Sequence, residues 1–235
     1  MFSHCKLGLR PHDPVRLSKV KALHTLVDSD PLFAQVPQDW AQTRQWDSDM
    51  LLNDQLGICG PAALINVFKL VADVSRANRS FNADDALAIY KALGYNGTPA
   101  TDNGVVLLDL MEYAVRAGML DCFFQVAFAD DVHLATAIAM AGPLVAGFEL
   151  PNSCQNTDRW DSTCAADKSV WGGHAVMIYA YSPGLLRAKS WGKPVDITPD
   201  FLAAKCNEMY FGASESLRVP TGLDYLPLLQ LAGKL

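Results

Sequence analysis

Residues 54–64 read D-Q-L-G-I-C-G-P-A-A-L, and an apolar run, I-N-V-F-K-L-V, follows directly. Ala62, Ala63, Ile65, Val67, Phe68, Leu70 and Val71 are apolar nearly all round, the pattern of a buried helix rather than a surface one. Cys59 stands at its head. A thiol there gains from the positive end of the helix dipole, which lowers its pKa and favours the nucleophilic thiolate. Gly60 allows close approach of backbone and substrate, and Pro61 suits a first helical turn. Two readings follow: Cys59 is a nucleophile, or a small hydrophobe at the edge of a core.

Outward from this stretch, the chain changes character. Residues 1–50 are rich in Pro, Asp and Gln. They read as an extended arm with one or two short helices, pinned to the body by Trp40 and Trp46. Beyond the Cys59 helix, F-N-A-D-D-A-L-A-I-Y-K-A-L-G-Y predicts a helix capped by Asn82 and stopped at Gly94. A loop, N-G-T-P-A-T-D-N-G, leads to a third helix closed by Gly118. The remainder is mostly strands: C-F-F-Q-V-A-F, P-L-V-A-G-F-E-L, H-A-V-M-I-Y-A-Y, L-L-R-A-K-S-W and N-E-M-Y-F-G. Short helices interrupt them after Asp130 or Asp131 and at Pro199, and a polar loop covers 151–171. Helices first and strands later predict α+β rather than a doubly wound sheet.

The 235 residues suit one large domain or two lobes sharing a cleft, and half of them are hydrophobic. The net charge of -6, with no basic cluster, argues against nucleic-acid binding. No segment has the roughly 18 uncharged apolar residues of a membrane span, and the first residues lack the apolar region of a secretion signal. The expectation is a cytoplasmic protein that does not engage membranes, with virion association or delivery to a host as the other route. The six cysteines form no C-x-x-C pair, so no zinc ribbon is expected. Cys154 and Cys164 flank a polar loop and would pair in an oxidising compartment; otherwise they are reduced, partly buried thiols. The acidic residues lack calcium-loop spacing, and no phosphate-loop ending occurs. No metal and no cofactor are expected.

Two later pieces complete a constellation: G-G-H-A-V-M-I-Y-A-Y at 172–181 and A-K-S-W-G at 188–192. His174, opening a strand, can reach into a cleft, take the thiol proton and return a proton to a leaving amine. The weaker histidines are His4 and His12 in the arm, His24 among Leu and Val, and His133 early in a helix. The Cys59 N–H and the Gln55 side chain are the candidate oxyanion donors.

Gln55, Cys59, G-H-A-V at 173–176 and K-S-W-G at 189–192 resemble, in that order, the pattern of papain-like cysteine peptidases. The run C-G-P-A-A-L is also similar to bacterial peptidases that trim leader peptides from bacteriocins, and the layout resembles phage and prophage proteins. The resemblance covers roughly residues 50–212. It implies a papain-like α+β fold: a helical lobe led by the Cys59 helix, an antiparallel sheet lobe carrying His174, and a cleft between. The implied units are an arm at 1–50, a catalytic domain at 51–212 and a tail at 213–235.

The implied reaction is thiol-dependent hydrolysis of a peptide or amide bond through an acyl-thioester, with Cys59, His174 and Gln55 as the site residues. The implied partner is a peptide or amide substrate, or a partner protein. Cell-wall amidases, deamidases and transglutaminase-like enzymes share the apparatus, and a catalytically inactive binding domain or phage or effector component is the rival of another class. Two departures stand in the sequence. The family keeps six positions between glutamine and cysteine, and here Gln55 is four away. The asparagine that orients the histidine falls on Lys189, which has no acceptor for an imidazole N–H. Ser190, a backbone carbonyl, water or the more distant Asp196 is left for that role. In the family Trp191 shields the histidine; as a core anchor it needs no such role. The loop's Trp160 and Trp171, beside Asp158, Asp161 and Asp167, form either a substrate rim or a solvated insertion with one packed tryptophan. With about 50 residues before the motif, removal of a large pro-region is not expected, though residues 1–40 would serve as a short plug.

Overall fold

The computed structural model describes residues 5–25, 27–28, 30–41, 48–216 and 225–231. Trp46 and His4 lie outside them.

The helix is Cys59–Val74, and only Lys69, Asp73 and Val74 of its residues escape burial. Its neighbours are Ala83–Ala92, with a full capping box between Asn82 and Asp85, and Leu107–Arg116. Gly94 and Gly118 take positive φ just past these two helices, as helix-stop glycines do. The third helix is shorter than its apolar pattern implied, because Val105–Val106 is drawn off as a strand.

The strands form one sheet in the order Cys122–Gln125, Cys206–Ala213, Leu144–Leu150, Gly172–Ser182, Leu185–Ser190, Lys193–Ile197, Arg159–Trp160. Neighbours run antiparallel except the last pair. Lys193–Ile197 is a strand the sequence hid behind Lys193 and Pro194. The 151–171 segment is not featureless: it holds a 3-10 turn at Asn152–Asn156, the strand Arg159–Trp160 and the helix Ser162–Ala166.

Two hydrophobic cores flank the central strand Gly172–Ser182. Ala175, Met177 and Tyr179 face the helical core, which contains Cys59; Val176 and Ile178 face the core containing Phe148, Trp160 and Phe201. This is the period-2 alternation of a strand buried on both faces. A bulge at Tyr179 shifts the alternation, so Ala180 joins the helical core and Tyr181 the other. Among the described residues no helix is long and apolar enough to cross a membrane.

The N-terminal arm is built into this body. Leu9–Arg10 pairs in parallel with Val105–Val106, and Leu9 is also opposite Gly173. Gln38–Asp39 extends along Tyr181 and Ala180. Trp40 pins the arm by donating from Nε1 to the Ile138 carbonyl at 2.7 Å.

Candidate active site

Cys59 is the first residue of its helix and is completely buried. No side chain caps this helix end, and its first turn carries no acid. Helix geometry alone would therefore lower the thiol pKa, as the sequence led us to expect. The thiol instead rises to about 11, because burial dominates. Hydrogen bonds from the backbone of Ala175, Gly8 and Gly60 pull the other way and do not offset it. A helix end contributes at most ~2 kcal/mol, whereas a buried unpaired charge costs several. Gly60 makes room for Val105, whose Cγ2 would lie 2.6 Å from an added Cβ.

His174 starts the central strand and is also fully buried. Its Nε2 lies 2.9 Å from Ser190 Oγ. Of the orienting groups left open by the sequence, Ser190 is thus the one in contact. Asp196 instead serves Arg187 and Arg159, and Lys189 is buried in the same strand as Ser190. Trp191 stacks on the imidazole at 3.9 Å between centroids and 14° between planes. Trp160 meets it edge-on at 6.4 Å. Burial lowers the His174 pKa to about 3. Its Nδ1 is buried with no partner. Thiol and imidazole are therefore both neutral, and the hydrogen bond between them is not made.

The turn that delivers Trp191 is tight. Ser190 pairs with Lys193, so Trp191 and Gly192 form a two-residue hairpin, both with positive φ, 45° and 71°. That is the backbone of a type I′ turn. Glycine adopts it freely; a tryptophan there is strained. Its stack on His174, a second ring contact with Trp171 at 5.3 Å and an Nε1 bond to the Lys6 carbonyl at 3.3 Å hold it.

Gln55 lies on the surface. Asn53, six positions before Cys59, is 3 % exposed, and its Oδ1 is buried without a partner. The two residues before it, Leu51 and Leu52, both have positive φ, 51° and 65°. Such strain in bulky residues collects at functional loops. Asn53 stands at the six-residue offset at which the family pattern has its glutamine.

The arm crosses this site. Gly8 N–H donates to the Gly173 carbonyl at 3.2 Å on the sheet side, and its own carbonyl accepts from Val105 N–H at 2.7 Å on the helical side. The arm thus bonds to both walls, and the Gly8 backbone also bonds the Cys59 thiol. Beside it a cavity of about 450 Å3 is lined by Leu9, His12, Glu149, Gly173, Asn207 and Glu208 among others. The 151–171 segment is mainly structural near the site. Trp160 is wholly buried, Asp161 caps the Ser162–Ala166 helix, and Asp167 accepts from the Ser153 and Ser169 N–H groups. The six cysteines are free thiols, with Cys154 in contact with Cys164. Among the described residues no group of His, Cys, Asp or Glu could hold a metal ion.

A helix bearing a cysteine, set against a sheet whose central strand opens with a histidine and whose next hairpin stacks a tryptophan on it, is a recognisable arrangement. Comparison with solved structures matches it to xylellain, a cysteine protease from Xylella fastidiosa, with TM-score 0.61 and 14 % identity, over 91 % of this chain and 98 % of that one. This chain has the papain-like fold. Procathepsin B from Trypanosoma congolense matches with TM-score 0.61 at 10 % identity, over 91 % of this chain and 88 % of that one. Digestive procathepsin L 3 of Tenebrio molitor larval midgut matches with TM-score 0.54 at 14 % identity, over 84 % and 77 %. No protein-family model matches the sequence, and comparison with curated proteins finds no relative.

Proposed function

We propose that the chain is a thiol hydrolase of peptide or amide bonds, resting in a covered state. The observation that carries this is the site's composition within this fold: a buried cysteine leads a helix and is bonded by the Ala175 backbone, and the residue before Ala175 is a buried histidine whose Nε2 lies 2.9 Å from Ser190 Oγ. With Nε2–H donating to Ser190 Oγ, Nδ1 is the nitrogen left to accept the thiol proton. Withdrawal of the arm admits water. Desolvation then eases on both groups, so the thiol pKa falls and the imidazole pKa rises. Cys59 Sγ attacks the carbonyl carbon as its proton passes to Nδ1. The tetrahedral intermediate breaks its C–N bond, His174 returns the proton to the amine, and water hydrolyses the thioester.

The oxyanion takes the Cys59 N–H and one side-chain amide. Two side-chain amides are candidates for the second donor: that of Asn53, buried six positions before Cys59, and that of Gln55, which faces solvent. The arm's strand pairing at Gly173 is the pairing an extended peptide substrate would adopt.

One observation favours a second reading. The neutral, unbonded pair under a docked arm also suits an inactive domain that binds a partner. Alkylation of the native chain with limiting iodoacetamide at about pH 6, where ordinary thiols are almost wholly protonated, separates the two. All six cysteines are buried, so each is an internal control for the others. We expect Cys59 to react first and His174→Ala to remove that lead. A Cys59 rate no faster than the other five supports the binding domain.

A further inference from the structure

Two thiols that the proposed reaction does not use lie together in the sheet-side core. Cys154 sits in the 3-10 turn Asn152–Asn156 and Cys164 in the short helix Ser162–Ala166. Both are buried in the core that holds Phe148, Trp160 and Phe201, and their thiol groups are in contact. Cys164 Sγ also reaches the Arg159 carbonyl at 4.0 Å. Cys206, in the same core, turns instead to the Glu208 carbonyl at 3.6 Å.

The backbone beside both cysteines is already fastened. Ser153 N–H donates to Asp167 Oδ2 at 3.0 Å, and Asn152 N–H donates to Ser169 Oγ at 2.9 Å. Lys205 Nζ donates to the Asp167 carbonyl at 2.9 Å, which ties the segment to the end of the Pro199–Lys205 helix. The turn carrying Cys154 is thus held against the chain that leaves the Cys164 helix. What remains for a bond is the approach of two touching sulfurs to about 2.05 Å. Between the cysteines lies Trp160, whose ring meets Phe148, Phe201 and, edge-on, His174. A bond from Cys154 to Cys164 closes a ring of chain around that anchor.

We propose that Cys154 and Cys164 are a disulfide-forming pair that staples the 151–171 segment to the core, with a small-molecule disulfide such as oxidised glutathione as the oxidant. One protein thiolate attacks a sulfur of that disulfide, whose S–S bond breaks and releases one small thiol. The second protein thiol loses its proton and attacks the mixed disulfide; the Sγ–Sγ bond forms and the second small thiol leaves. Two protein thiols are oxidised and one small disulfide is reduced to two thiols. The inference needs no hydrolytic activity from Cys59. Burial first, and then the adjacent Cys164, push the Cys154 thiol above its usual range. The reduced pair is therefore protonated and slow, and exchange waits on local opening of the short helix. Once formed, the bond is shielded from reductant by the same burial.

The test is incubation of the full native chain with oxidised glutathione at about pH 8, blocking of the remaining thiols, and tryptic mapping without reduction. Cleavage at Arg159 separates the two cysteines: Cys154 falls in peptide 117–159, together with Cys122, and Cys164 in peptide 160–168. The two peptides should appear joined, and fragmentation should place the bond on Cys154. Dithiothreitol should part them roughly tenfold more slowly in the native chain than in urea. The closed form should melt roughly 5–10 °C above the reduced one, as a ring of this size implies for a chain of this length. All of these readings use the wild type, so no variant has to fold. The proposal is overturned if Cys164 is found glutathionylated or blocked rather than linked, or linked to Cys122 or Cys206. It is equally overturned if the bond forms only in the unfolded chain, or if the closed form melts no higher than the reduced one.

Discussion

Two buried polar regions lie on either side of the Cys59 loop, and they are finished differently. Around Asp102 each oxygen has a donor: Oδ1 serves Gly57 and Tyr90, and Oδ2 serves Lys6. At His174 two polar atoms are left open: Nδ1 of the imidazole and Nε1 of Trp160, whose ring meets it edge-on, are buried without a protein partner. An unsatisfied buried polar atom costs roughly 1–3 kcal/mol. The satisfied region holds chain segments in register. On the reading proposed above, the open His174 Nδ1 is the atom left for the thiol proton.

That contrast can be broken in graded steps. The largest effect should come from His174→Ala, which removes the proton acceptor. Hydrolysis of an activated ester or amide should fall by roughly 10³-fold or more, given the 10²–10⁴-fold typical of general-base catalysis plus the lost thiol activation. Next is Asn53→Ala. If the Asn53 side-chain N–H donates to the oxyanion, kcat should drop on the order of 10²-fold with little change in KM, while Gln55→Ala changes kcat less than twofold. A reversed order would hand the role back to Gln55.

The third step is a pH dependence. His174 titrates at about 3 when folded and near 6.5 unfolded. Below about pH 6.5 the unfolded chain takes up a proton that the folded chain refuses, so stability is lost as pH falls from there toward 3. At pH 5 the loss from this residue is about 2 kcal/mol, from about 1.4 kcal/mol per unit. Urea denaturation of the wild type and His174→Gln at pH 7 and pH 5 checks it; the variant should lack that share of the difference. The smallest step is Ser190→Ala. It leaves Nε2 without its partner and should cost about 1 kcal/mol of orientation, roughly a fivefold loss in kcat. Recovery in Ser190→Asn would show that the bond, not the residue, is what counts.

The sequence made one side of the contrast legible and not the other. Cys59, His174 and Trp191 announce themselves because their chemistry travels with local pattern: a helix start, a strand start, a hairpin. Asn53 stands at the six-residue offset but is not a glutamine, so the motif passes over it. Its burial depends on two leucines at positive φ, which no propensity favours. The Asp102 junction joins residues 6, 57, 90 and 102, and nothing in their spacing suggests they meet. The direction of the Cys59 shift was misjudged for the same reason. A helix dipole is a property of the segment, whereas burial is a property of whatever packs over it. The order of helices and strands was readable throughout, except where Lys193 and Pro194 hid an edge-side strand and where Val105–Val106 left a helix to pair with the arm.

The strand Gly172–Ser182 divides the two cores, belongs to both and pairs on either side with Leu144–Leu150 and Leu185–Ser190. Amide hydrogens in such a place exchange with solvent only when the whole domain opens, whereas those of the arm need only the arm to lift. In deuterium the chain should therefore separate into two clocks. The protons between Ala175 and Ile178 would keep the slowest time in the molecule, and those of residues 8–10 would run at the pace of access to Cys59.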